Sequence, residues 1–391
     1  MKTCFTSYRP FANGPVKQPF LESDPANIAY ALGGDYFSFY TLRSLSRRQL
    51  ADRLRAYDLV FVALDAEAIE LVYRIIEVCT GRAVTYSEGH IADYQRLLPA
   101  GQVAFLKAMN AAAINFLYWE KYIPFYQTLT TTPVVYLPYP YLLDEVNRHR
   151  LPPETRPVLA VLPSGLAGST RNGLATLAVA KRLLENRSVE EVACWLEPDT
   201  FRQDAQAVNY FLFSAPFTVR PRTTWFNWRK WLRATRIDYR GLLRLKSQLL
   251  SAHSGRQPAE TVRIQCVTLY RRQNWWNYLA QLAPARLFID LNNRESVGRN
   301  ALDCAALGIA CISTNRSDMQ ARLFPDTTLD DSWDIAGALT LCDRLLSDTE
   351  FYQRVVAYAG EAVKQFAPAF FRRRFDAIME RHLNPLPPPH D

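Results

Sequence analysis

The chain carries five histidines, no Cys-x-x-Cys pair and no apolar run of bilayer length. A membrane-spanning helix needs about 20 apolar residues, and runs such as Asp58-Leu-Val-Phe-Val-Ala-Leu64 stop far short of that. Met1 to Tyr8 is too polar and too short for a signal peptide, so the expected location is the cytoplasm. The seven cysteines are an odd number with neither zinc spacing nor paired-histidine support, which argues for reduced, mostly buried thiols rather than a metal knuckle or a disulfide framework. Acids are the scarcer charge. With 46 basic and 38 acidic residues the net charge is +8, which suits an anionic partner: a nucleotide sugar, an acidic lipid surface or nucleic acid.

What is present is an alternation of strand-like and helix-like segments over 391 residues, enough chain for two domains with separate cores. Strands are expected at 3–7, 36–42, 59–63 and 83–86, with helices at 25–32, 46–56 and 66–79 between them. A long helical stretch is expected over 102–119, then a short apolar run at 133–137. Prolines 138, 140, 152, 153 and 157 surround the charged segment 144–150 and mark a boundary near residue 150. The rhythm restarts with strands at 158–162 and 192–196 flanking a helix at 173–184. It resumes after a long interruption at 262–267, with a helix around 273–282. Three helices, 334–346, 351–366 and 368–383, precede a proline-rich end that cannot be helical.

The most informative stretch is Glu295-Ser-Val-Gly298-Arg299-Asn-Ala-Leu-Asp303-Cys-Ala-Ala-Leu-Gly308, between the apolar runs 287–291 and 309–313. Its reading is strand, loop, helix, strand, with Gly308 as the helix stop. A loop opening onto a helix N-terminus favours a phosphate, and Gly298 permits close backbone approach.

This element resembles the Glu-x7-Glu signature of retaining, nucleotide-sugar-dependent glycosyltransferases of the GT-B group (family 4-like), with Asp303 in place of the second Glu. Leu302-Asp-Cys-Ala-Ala-Leu-Gly308 is similar to that family's Leu-Glu-Ala-Met-Ala-Cys-Gly. The resemblance implies an α/β fold of two Rossmann-like domains with C-terminal helices crossing back to the first. The implied division is an N-terminal acceptor domain, 1–150, a donor domain, 151–366, with a basic aromatic insertion around 214–260, and a helix with a proline-rich tail, 367–391. It further implies a hexosyltransferase in which Glu295 faces the donor sugar, Ser296, Val297, Gly298, Arg299 and Asn300 face its diphosphate, and Asp303 faces the ribose. The family's Lys-Gly position reads Asn172-Gly173 here, and Arg171 beside it is the candidate cation for the leaving diphosphate. No Asp-x-Asp motif is present, so no metal is expected.

On the acceptor side, Gly14 follows the first strand where the family carries a glycine-rich loop. His90 follows the strand ending near Tyr86, where open parallel sheets collect ligands, and is the candidate acceptor-site group, to bind the sugar or to shuttle a proton, with Glu88 and Asp93 as alternatives. Between Arg220 and Leu250 lie nine Arg or Lys, one acid and three Trp. This block reads either as a polybasic surface packed through its aromatics or as amphipathic helices on an anionic membrane, which would suit a cell-envelope, glycan or lipid-linked acceptor. Beside the transferase stand a non-catalytic binding or scaffold protein of the same fold, a nucleotide-sugar epimerase and, last, a nucleic-acid binder.

Overall fold

The computed structural model describes residues 1–20, 24–87, 94–138, 140–152, 156, 159–162, 172–196, 201–213, 261–271 and 274–383. Two sheets of seven strands organise them. The first contains β1 (Thr3–Ser7), β2 (Gly14–Pro15), β3 (Asp35–Ser38), β4 (Leu59–Leu64), β5 (Ala83–Ser87), β6 (Ile114–Leu117) and β7 (Val134–Tyr136), in the order β2-β3-β1-β4-β5-β6-β7. Every pairing is parallel except β2 with β3. β1, β4, β5 and β6 are buried along their whole length, as strands covered on both faces must be.

The second sheet contains β8 (Leu159–Leu162), β9 (Glu191–Leu196), β10 (Thr261–Ile264), β11 (Val267–Arg271), β12 (Leu287–Asp290), β13 (Ala310–Thr314) and β14 (Thr328–Leu329). Its order is β10-β11-β9-β8-β12-β13-β14, and only β10 with β11 is antiparallel. The helices 335–347, 349–362 and 368–383 form the expected tail. The last of these crosses back to the first sheet: Phe375 packs against Phe61 and Phe116 with ring centroids 5.5 and 6.3 Å apart, and the Arg372 guanidinium donates to the Leu32 carbonyl at 3.2 Å.

Three expected elements are corrected. The stretch 102–119 is a helix only over Pro99–Ala111; Ala112 turns extended, and Ile114–Leu117 is the buried strand β6. A run of alanines hides that break, and a short apolar segment fits either structure. The strand expected at 36–42 ends at Ser38, whose hydroxyl accepts from the Tyr40 N–H and caps a helix over Phe39–Arg43. The strand expected at 262–267 is a hairpin, β10 and β11, turned by Gln265 at φ 51°. All seven cysteines are unpaired, and all but Cys266 are buried. Among the described residues, no helix is long and apolar enough to cross a membrane.

Candidate functional site

β12 ends at Asp290, and the chain runs through residues 291–298 into the helix Arg299–Leu307. Gly298 is the N-cap at φ 84°, a left-handed conformation that disfavours a side chain. A Cβ there would lie 1.9 Å from the Ser317 hydroxyl oxygen. The fit is tight because the loop is zippered to a second one: Ser296 N–H donates to the Arg316 carbonyl at 2.9 Å, Asp318 N–H to Ser296 at 3.0 Å, and Met319 N–H to Val297 at 2.9 Å. Side chains brace it further, with Asn292 donating to the Ser296 hydroxyl at 2.9 Å and Asn300 to Asp290 at 3.0 Å. Gly298→Ala is therefore expected to cost about 2 kcal/mol or more, from left-handed strain plus displacement of Ser317. A urea melt checks this. Adding Ser317→Ala should recover part of the loss, since it removes the contact and leaves the strain.

At the other end of this helix, Arg156 of the connecting segment donates to the Leu307 carbonyl at 2.5 Å and also to the Gly308 carbonyl. A cation on the last carbonyls complements the helix dipole, and the N-terminus faces the loop as the positive end.

Glu295 is half-buried. Its Oε1 lies 3.4 Å from the Lys121 ammonium and 3.5 Å from the Arg316 guanidinium. Lys121 follows β6 of the first sheet, so this pair spans the two sheets. Next to it, Glu120 pairs with Arg322 at 2.7 Å, and Arg322 is held by Asp318 at 3.1 Å. The carboxyl ends of both sheets thus meet across one cleft, where open parallel sheets bind ligands.

Asp303 sits one turn into the helix and is buried, 2% exposed. Its Oδ1 accepts from the Tyr141 hydroxyl at 2.6 Å and the Trp275 indole N–H at 3.2 Å. Burial pushes its carboxyl up to about 7, against the two hydrogen bonds and the nearby Arg299, which pull it down. Tyr141 also donates its backbone N–H to Phe366 at 2.7 Å, so one residue joins both chain crossings between the sheets to the helix that heads the loop.

Glu295 to Asn300 form the loop and the start of its helix, and Asp303 lies one turn further along. Asn172 comes near the same strand end, since the Thr176 hydroxyl of its helix accepts from the Leu291 N–H at 3.3 Å, whereas Gly14 lies elsewhere. Asn172 caps the helix 173–185 at φ 43°, and its amide is spent on the Ser332 carbonyl at 2.7 Å. Gly14 pairs with Tyr36 in the edge strand β2. Five strand spacings separate β2 from β6, roughly 24 Å, so Gly14 is remote from the Glu295 loop. Arg171, His90, Glu88 and Asp93, like the basic aromatic insertion, lie outside the described residues. Lys121, Arg316, Tyr141 and Trp275 had no signal in the pattern; recognising β6 would have put Lys121 at a strand's carboxyl end. Among the described residues, no group of three or more His, Cys, Asp or Glu comes together as a metal-holding set.

A cavity of about 570 Å³ opens at the carboxyl ends of β1, β3 and β4, lined among others by Tyr8, Tyr40, Arg43, Glu67, Glu70 and Arg74. Its place is informative. The chain goes from β1 to β3 on one side and then to β4 on the other, so the cavity lies at the sheet's topological switch point.

No protein-family model and no curated protein matches the chain. Solved structures do, over nearly its whole length. One is an E. coli trehalose-6-phosphate structure bound with UDP-2-fluoro glucose, with TM-score 0.61, 10% identity, 97% of this chain and 99% of that one covered. Another is a trehalose-6-phosphate synthase studied for glycosyl transfer with retention, at TM-score 0.57, 10% identity and coverages of 97% and 93%. A third is an α-glucosyltransferase in complex with UDP and a mismatched 13-mer DNA, at TM-score 0.55, 12% identity and coverages of 97% and 99%. The chain has the GT-B fold. The resemblance first carried by Glu295 to Gly308 therefore holds at the level of architecture. In this GT-B chain the zippered loop and helix 299–307 lie in the second sheet's half, and the switch-point cavity lies in the first.

Proposed function

We propose that the protein is a retaining, metal-independent glycosyltransferase that moves a hexose from a nucleoside-diphosphate sugar, with UDP as the first base to test, to a glycan acceptor. The observation that carries this reading is the zippered loop 295–298, which holds a half-buried carboxylate over the open end of a helix. In the proposed arrangement Glu295 accepts hydrogen bonds from the sugar hydroxyls. The diphosphate lies at the N-terminus of helix 299–307, where aligned backbone dipoles stabilise the charge that develops as the glycosidic bond breaks. Arg299 and Arg316 add positive charge, and Arg171 is the proposed cation of the preceding loop. Asp303 meets the ribose through Oδ2, because both of its hydrogen bonds among the described residues fall on Oδ1.

The acceptor is assigned to the switch-point cavity. Its aromatic faces suit the apolar side of a sugar ring, and its Arg and Glu side chains suit hydroxyls. The acceptor is thereby a carbohydrate, free or at the head of a cell-envelope lipid, with any membrane contact assigned to residues 220–250.

A thermal-shift screen of UDP-, GDP-, ADP- and CMP-sugars tests the reading, since a ligand bound only by the folded state stabilises it by about 2.7 kcal/mol at a hundred times its Kd. One donor is expected to raise Tm by several degrees in the wild type, by less in Glu295→Ala, which keeps only the nucleotide's share of the shift, and by less in Arg171→Ala. No shift with any donor would favour the non-catalytic alternative.

A further inference from the structure

Two adjacent residues of the short turn Glu120–Tyr122 reach across the cleft, Lys121 to Glu295 of the zippered loop and Glu120 to Arg322 of the helix Asp318–Leu323 that follows its second arm. The turn is well anchored, with Trp119 buried and stacked on Tyr122 at 5.0 Å. Lys121 places its ammonium 3.4 Å from Glu295 and 5.3 Å from the Tyr122 ring centre. An ammonium has three N–H donors, and no hydrogen bond among the described residues fixes them. The pair is partly exposed, at 35% for Lys121 and 27% for Glu295, and exposed ion pairs contribute little to stability. The pair is therefore a minor part of what holds the fold.

We propose that Lys121 completes the donor-sugar subsite from the opposite sheet, donating to a sugar hydroxyl oxygen while Glu295 accepts from the neighbouring hydroxyl. This rests on the transferase reading above and adds a residue to it. A donor and an acceptor side by side read the two faces of a vicinal diol, and a site built to bond hydroxyls discriminates strongly when that pattern is broken. Lys121 lies at the Glu295 end of the loop, three residues before Gly298 caps the helix, so it faces the sugar and not the nucleotide. It follows that the second sheet's half alone holds an incomplete site, and that sugar recognition requires the cleft to be closed.

The test measures Tm shifts with UDP and with UDP-glucose in the full chain, for wild type, Lys121→Met and Lys121→Arg. Wild type is expected to respond to both ligands. Lys121→Met should keep the UDP shift and lose the additional shift due to the sugar, with donor affinity falling at least tenfold. Lys121→Arg should recover part of it. Melting of the unliganded variants should change by less than about 3 °C, as expected for an exposed pair. A full UDP-glucose shift in Lys121→Met overturns the proposal, as does loss of the UDP shift along with the sugar's, which would assign Lys121 to the phosphates. If wild type responds to no nucleotide or nucleotide sugar, the transferase reading itself fails.

Discussion

Replacing Glu295 by Ala is expected to lower sugar transfer about 100-fold while leaving the fold and UDP binding intact. A hydrogen bond to a charged group contributes about 1.5–3 kcal/mol, and removing this acceptor also leaves Lys121 and Arg316 facing each other without the anion between them. The backbone of the loop does not depend on that side chain, because its zipper is made by main-chain groups of 296, 297, 316, 318 and 319. Glu295→Gln keeps an acceptor and loses the charge, so its deficit should be nearer tenfold. Transfer rates and UDP titrations on the three proteins check this. Equal turnover in Glu295→Ala and wild type would remove Glu295 from the reaction.

The second large effect concerns Asp303 and pH. Its carboxyl ionises near 7 in the folded protein and near the ordinary 3.8 when unfolded. A raised acid binds its proton more tightly when folded, so its contribution is fully present below about pH 4 and is lost as pH rises through 7. A displacement of that size corresponds to on the order of 4 kcal/mol. Asn at this position keeps an acceptor for Tyr141 and Trp275 without the buried charge. Asp303→Asn is therefore expected to be more stable than wild type at pH 8 and to lose that advantage progressively towards pH 4, as urea melts across the range would register. Parallel stability curves for the two proteins would show that Asp303 is not strained by its burial. The variant should also bind a nucleotide sugar more weakly, because Oδ2 becomes a donor where an acceptor is proposed for the ribose.

Much of the architecture was legible before any coordinates. β1 is placed at its residues, helix 299–307 stops at Gly308, and the three tail helices fall where their periodicity put them. Legibility came from punctuation: glycines needing positive φ, prolines in the connector, and β-type apolar runs. It failed where two structures satisfy the same composition. Ala111 to Ala113 continue a helix as readily as they end one, and taking them as continuous concealed β6 and with it the turn bearing Lys121. The partners of Asp303 were hidden for a different reason. Tyr141 is 162 residues away, and neither pattern nor period carries information over such a separation. Asn172 was legible as a departure from the Lys-Gly pattern, but its use as an αL cap bonded to Ser332 depends on tertiary structure.

The helix Pro368–Leu383 has a bearing on how the chain is made. Phe61 and Phe116 belong to strands synthesised early, yet the ring that covers them, Phe375, emerges some 260 residues after the later of the two. Loop closure over that distance is entropically costly and slow to be rewarded. During synthesis the first sheet leaves the ribosome with an apolar groove still open, and it stays open until residues 368–383 have followed. A nascent chain stalled before residue 368 should therefore expose that groove to chaperones, and its solubility should change abruptly once the helix is complete.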